Sequence, residues 1–278
     1  MEGCFVSMEY YDAINYRGWV KSFHMEDVSD AIEDKIKHYV NYLRGFSKSL
    51  GNCFEIVRTD GAARRHTGLF STKAPYYFLI YITDLEEQLL NAGYMMGQLS
   101  LYLLTKEIGS CLIGLEKVNE RVQGDVVYAS KSLQQTKVFS EPTWVVVMGF
   151  GMPEQKIKQT KKKLHQKISD KNCTYRSEVD PRVQSIINVG VHAPSRMLVR
   201  PYRYVINKNQ AFIFAKGESM MTSAQRMCVH LDCGIMLAYL GLKAEELWMT
   251  MLVKRSEKRI QKEWKGMKYL VSISFQDQ

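Results

Sequence analysis

Across residues 85–107, apolar side chains fall on nearly every side of a helical wheel. A helix of that kind has to be enclosed by the rest of its domain. This constrains the fold more than any other segment, because strands and helices must surround it. The apolar run at 76–82 before it reads as a buried strand. After it, Gly109-Ser110-Cys111 turns the chain into a strand over 111–114, and 143–149 forms a further buried strand. Upstream, residues 12–17 read as the end of a short helix. Residues 29–46 form an amphipathic helix with Ile32, Ile36, Tyr39, Val40 and Leu43 on one face, and 54–58 a short strand. A polar, basic loop over 59–73 closes at Ala74-Pro75, and 116–141 is weakly patterned, as small helices and a surface loop would be.

The second half repeats this order. Residues 180–191 are helical and align with 29–46, and 202–206 align with 54–58. The segment 224–240, with its core Leu231-Asp232-Cys233-Gly234-Ile235-Met236-Leu237-Ala238, aligns with the helix that holds Ala92 to Leu99. Residues 268–275 close as a strand like 143–149. Repetition of element order points to internal duplication, with halves at 1–160 and 161–278 and a junction over 156–172.

Composition narrows the class. With 278 residues, 46% of them hydrophobic and 24% charged, the chain has ample core material and is not disordered. No run of about 18 apolar residues predicts a membrane span, and Met1-Glu2-Gly3-Cys4 does not open a secretory signal. The six cysteines are scattered without a Cys-x-x-Cys pair, which points to reduced thiols in the cytoplasm. Cys228, His230 and Cys233 come nearest to metal spacing but lack a second ligand pair, so no metal is expected. His192 and His230 read as core or surface histidines, and the 15 methionines as core filler. The net charge of +9 is concentrated at 156–163 and 254–259. Such runs are solvated helix faces or anion-steering clusters. Nucleic acid is not expected as a partner, since no recognition motif accompanies the charge and the aromatics lie in apolar strands.

Five stretches carry a family resemblance. Ala193-Pro194-Ser195, followed by Leu198, Arg200 and Pro201, resembles the Ala-Pro-Ser-x-x-Asn-x-Gln-Pro turn of FMN-dependent nitroreductases. Tyr16-Arg17-Gly18-Trp19-Val20-Lys21-Ser22-Phe23 is similar to that family's N-terminal Arg-x-Ser-x-Arg/Lys-x-Phe. Lys73-Ala74-Pro75 stands where a lysine or polar residue precedes the central strand. Ala92 to Leu104, followed by Ile108 to Gly114, resembles the central helix and its Gly-Leu-Gly-Thr ending. Val147 to Pro153 and the lysines after it resemble the Gly-Tyr-Pro strand end and basic tail.

The resemblance implies an α+β, nitroreductase-like fold in which two half-similar α/β units, with mixed or antiparallel sheets flanked by helices, form an intrachain pseudo-dimer. The family's members are homodimers of one such unit; a duplicated chain needs no second copy. It implies FMN as cofactor, NADH or NADPH as electron donor, and a nitroaromatic, quinone or similar small molecule as acceptor. The flavin carries the chemistry, so no catalytic side chain is assigned. The first half would supply Arg17, Trp19, Lys21, Lys73, the Leu112, Ile113 and Gly114 backbone, and Lys161 to Lys163, of which Lys161 and Lys163 flank the run. Pro194, Ser195, Leu198 and Arg200 would come from the second. Pro194 would pack on the ring, and Ser195 would hydrogen-bond a flavin carbonyl or N3. Trp19 replaces the family's serine, Leu198 its asparagine and Arg200 its glutamine. Because Phe46 to Asn52 stands where the first half would need a Pro-Ser turn, one flavin per chain is expected. Departures from the polar set also fit a non-catalytic module of this fold that binds a ligand or a protein.

Overall fold

All seven residues of the strand Tyr76–Ile82 are buried on both faces, as a run of aromatic and β-branched residues requires of a central strand. The structure is a computed structural model, and it describes residues 10–17, 19–46, 53–58, 73–82, 85–117, 144–159, 172–195, 202–216, 221–254 and 267–278. The chain divides into two compact units. The first comprises residues 1–43, 50–88 and 98–160; the second takes 44–49, 89–97 and 161–278.

In the first unit, a 3-10 turn (Tyr11–Asn15) leads into β1 (Tyr16–Arg17) and then α1 (Asp30–Tyr42). Strands β2 (Cys53–Arg58) and β3 (Tyr76–Ile82) follow, then α2 (Leu85–Thr105), β4 (Gly109–Lys117), β5 (Trp144–Gly151) and β6 (Lys158–Gln159). The main sheet is antiparallel with order β2-β3-β5-β4, and β1 pairs with β6 in a separate two-stranded ribbon.

In the second unit, β7 (Cys173–Tyr175), α3 (Pro181–Val189), β8 (Tyr202–Asn207), β9 (Gln210–Lys216), α4 (Ser223–Glu246), β10 (Met249–Lys254) and β11 (Met267–Asp277) follow in chain order. They form a mixed sheet of order β10-β11-β9-β8-β7, in which β7 runs parallel to β8. Asp180 caps α3 by accepting from the Arg182 amide at 2.8 Å, with Pro181 in the first turn, where its missing N–H costs nothing. Thr222 and Gln225 close a reciprocal capping box on α4.

Element order repeats: strand, strand, long helix, strand, strand. Set aside β7 and the two sheets also have the same spatial order, β2-β3-β5-β4 and β8-β9-β11-β10. Each long helix ends on a non-glycine residue in the left-handed region, Glu107 at φ 59° and Trp248 at φ 57°. Both long helices therefore turn toward the following strand through a left-handed residue two positions past their last helical residue.

The expected strand at 202–206 and helix at 180–191 are present within a residue or two, and so are the strands at 54–58, 143–149 and 268–275. Residues 12–15 do finish a short helix, the 3-10 turn, but Tyr16 and Arg17 are extended, because their backbone groups are taken up by Gln159 and Lys158. The strand expected at 111–114 runs from Gly109 to Lys117. Most of 59–73 and 116–141 lies outside the described residues. By length and composition, residues 225–246 of α4 are also apolar enough to cross a membrane, but 83% of the qualifying window is buried inside the protein, as in a core helix.

Candidate functional site

In the first unit, the segment Trp19–His24 lies along the start of β4 and the end of β5. Trp19 bridges to Ser110 and Phe23 to Pro153. The Val20 amide donates to the Ser110 carbonyl at 3.0 Å, the His24 amide to Met152 at 2.9 Å, and the Glu154 amide to Ser22 at 3.3 Å. Two glycines make room here. A Cβ on Gly109 would overlap Val20, and one on Gly151 would overlap the Pro75 ring. Phe23, 3% exposed, anchors the segment in a cluster with Val57, Ala74, Tyr77 and Leu79, against which Val20 and Ile113 pack. With Phe23 and Ala74 fixed inside, Lys21 and Lys73 are left on the exposed side. Trp19 is half-buried, and among the described residues its buried indole N–H has no hydrogen-bond partner.

A helix ending at Arg17 would set Arg17 and Lys21 four residues apart at its end. Instead, Arg17 sits on β1 and Lys21 in an irregular bend. The ladder sets Arg17 opposite Lys158, a cation not counted among the site residues although the alternation Lys156-Ile157-Lys158 marked an extended segment. Lys161 and Lys163 follow shortly after Gln159 but lie outside the described residues, as do Leu198 and Arg200. Leu112, Ile113 and Gly114 form a β-bulge: Leu112 pairs with Met148 and Gly114 with Val147, so Ile113 is the extra residue. The bulge takes Ile113 out of the regular ladder while its side chain packs on the cluster beneath. A stretch of backbone is thereby turned away from strand pairing. The Ser100 and Ser110 hydroxyls are buried 2.9 Å apart.

In the second unit, α3 gives way to a turn in which the Gly190 amide donates to Ile187 at 3.1 Å and the His192 amide to Val189 at 2.8 Å. Ala193 is buried; Pro194 and Ser195 are half-buried. Ser195 Oγ donates to Asp232 Oδ2 at 2.6 Å. Asp232 is the residue sequence reasoning missed, and its signal was an acid inside the apolar run of α4. His230 is a buried helix residue whose Nδ1 lies 2.9 Å from the Arg226 carbonyl; His192 sits in the turn after α3 rather than on the helix. Among the described residues, no three His, Cys, Asp or Glu side chains are gathered as metal ligands. Burial, followed by the neighbouring Asp232, pushes the Cys233 thiol far up, so it stays protonated and inert.

In the first unit Lys21 and Lys73 are exposed; in the second, the Pro194-Ser195 turn is tied to Asp232 through the Ser195 hydroxyl.

The chain matches the family described as "Putative TM nitroreductase" over residues 9–244. Among solved structures, a protein of Thermotoga maritima MSB8 described as a putative nitroreductase is similar at 15% identity and TM-score 0.58, over 96% of this chain and 94% of that one. A protein of Bacteroides thetaiotaomicron described as a putative NADH dehydrogenase/NAD(P)H nitroreductase gives 15% identity and TM-score 0.43, over 61% of this chain and 98% of that one. One from Desulfovibrio desulfuricans, solved in complex with FMN, gives 14% identity and TM-score 0.38, over 53% and 88%. No curated protein matched.

Proposed function

Because the chain belongs to the nitroreductase family described as "Putative TM nitroreductase", we propose that it is an FMN-dependent oxidoreductase. In this reading it takes electrons from NADH or NADPH and delivers them to a nitroaromatic, a quinone or a similar small acceptor. The observation that carries the reading is the β1–β6 ladder, which sets Arg17 against Lys158 next to the segment that holds Trp19 and Lys21. The register thus pairs two basic residues from distant stretches of the chain where the resemblance expects a phosphate, and charge-assisted bonds from such residues suit a dianion.

When bound, FMN supplies the two-electron chemistry between donor and acceptor. The protein's residues bind and orient it. Arg17, Lys21, Lys158, Lys161 and Lys163 hold the phosphate, and Lys73 presents a positive charge to the ring. The Leu112–Gly114 bulge would offer backbone groups, and Trp19 would stand near the phosphate. Pro194, Ser195, Leu198 and Arg200 contribute from the second half. The scattered thiols, four of them free among the described residues, support a cytoplasmic setting. The repeated element order supports a chain that works as its own pseudo-dimer with one flavin.

The visible spectrum of the purified protein tests this. A flavin absorbance that bleaches anaerobically on addition of NADH or NADPH is the expected result; a preparation still colourless after incubation with FMN overturns it. Trp19 favours one second reading, since it puts a bulky indole at the backbone bridge to Ser110 where the family carries serine. A non-catalytic ligand- or protein-binding module would hold flavin without being reduced by either nicotinamide.

A further inference from the structure

On α4 an acid stands among apolar neighbours. Asp232 is 2% exposed and follows Leu231 in the run Leu231-Asp232-Cys233-Gly234. Burying a carboxylate is costly unless something donates to it. Ser195 does so at 2.6 Å, the length of a charge-assisted O–H···O⁻ bond. A hydroxyl has one hydrogen. With that hydrogen committed to Asp232, Ser195 Oγ can only accept from a third group.

The first half of the chain supplies an internal comparison. α2 and α4 meet reciprocally: the side of Gly93 faces the Leu231 carbonyl and the Ile235 amide, while that of Gly234 faces the Leu90 carbonyl and the Tyr94 amide. Leu90 therefore corresponds to Leu231, and Asn91 to Asp232. Asn91 is fully buried, and its amide lies against Gly45 in the stretch after α1, just as Asp232 lies against Ser195 in the stretch after α3. Glycine offers no hydroxyl. Among the described residues, neither amide atom of Asn91 has a hydrogen-bond partner. One scaffold position thus carries a carboxyl bonded to a hydroxyl in the second half and an amide against bare backbone in the first.

We propose that Asp232 is a positioning residue that fixes Ser195 as a hydrogen-bond acceptor, so that the Pro194-Ser195 turn selects ligands presenting an N–H, such as a flavin imide. The ligand class rests on the flavin reading above; the coupling of Ser195 to Asp232 does not. Among the described residues, the corresponding Asn91 meets Gly45, which carries no such hydroxyl.

Two measurements on the full-length protein test the assignment, using Ser195→Ala, the near-isosteric Asp232→Asn, and the double variant. The first is amide hydrogen exchange of the turn over 191–195 in flavin-free protein. Each single variant is expected to speed exchange by about tenfold, and the double variant no further, as for one shared charge-assisted bond. Unchanged exchange, or effects that add, overturns the coupling. The second is fluorescence titration with FMN and with N3-methyl-FMN, which lacks the imide hydrogen. The wild-type protein is expected to prefer FMN by about tenfold or more and both single variants to lose most of that preference. Equal affinity of the wild-type protein for the two flavins overturns the acceptor assignment. If it binds neither, the flavin reading and its ligand class fall, while the exchange result still decides the pair.

Discussion

The Cα of Gly93 and the backbone of Tyr94 occupy the space into which Gly234 would project a side chain, and Leu231 does the same to Gly93. The two long helices touch backbone to backbone. Helix propensity alone would make Gly234→Ala stabilising by about 1 kcal/mol. Here the added methyl meets carbonyl and amide atoms that cannot swing aside, and overpacking of this kind costs about 1–3 kcal/mol. A net loss of stability is therefore expected for Gly234→Ala and Gly93→Ala. Urea denaturation checks it, as a lower midpoint at unchanged slope.

The Ser100–Ser110 contact gives a sharper energetic signature. Both side chains are buried and their oxygens are 2.9 Å apart. Ser110→Ala strands the Ser100 hydroxyl away from water and should cost about 1–3 kcal/mol. Replacing both serines removes donor and acceptor together, so the double variant should be closer to wild type than the sum of the singles. A double-mutant cycle by chemical denaturation reads the difference.

Glu33 predicts a pH dependence. Lys37 donates to its carboxylate at 2.6 Å and the Tyr76 hydroxyl at 3.0 Å. The Lys37 bond above all, helped by the Tyr76 bond, holds the carboxyl below its ordinary range against the opposing cost of burial. Burial and Glu33 push the Tyr76 phenol up, so it remains a donor. A carboxyl whose folded value is depressed adds stability above its unfolded value and loses that stability as pH falls through the folded one. Lys37 is 55% exposed, so solvent screens the pair. Glu33→Gln should cost about 0.5 kcal/mol at pH 7, and the gap from wild type should close below about pH 4. Urea midpoints across that range check it.

What was legible in the sequence follows from how locally each feature is encoded. Tyr76–Ile82 and the long helices declare themselves through apolar content, since burial on all sides leaves no other pattern. The ribbon of β1 and β6 did not, because each strand has only two residues and their pairing joins positions more than a hundred residues apart. The motif singled out Arg17, but nothing local to it pointed to its strand partner Lys158. Ser195 was likewise visible in its turn, whereas Asp232 depends on α4 folding back beside α3. β9 and β10, unmarked in the sequence reading, follow from the repeat: once β3 and β4 exist, the second half needs their equivalents.

Lys21 tests the phosphate assignment separately from the ring. It is exposed on a segment whose backbone is held by Ser110 and Met152, so its replacement leaves the fold intact. Lys21→Ala should weaken FMN by about fivefold, a charge-assisted contact discounted for solvent screening. Riboflavin, which lacks the phosphate, should bind wild type and variant equally. Raising salt should narrow the FMN difference, because exposed charges are screened within about 10 Å at 0.1 M. Fluorescence titration with both flavins at two salt concentrations reads all three. A Lys21→Ala loss that is the same for riboflavin as for FMN would move this lysine from the phosphate to the ring.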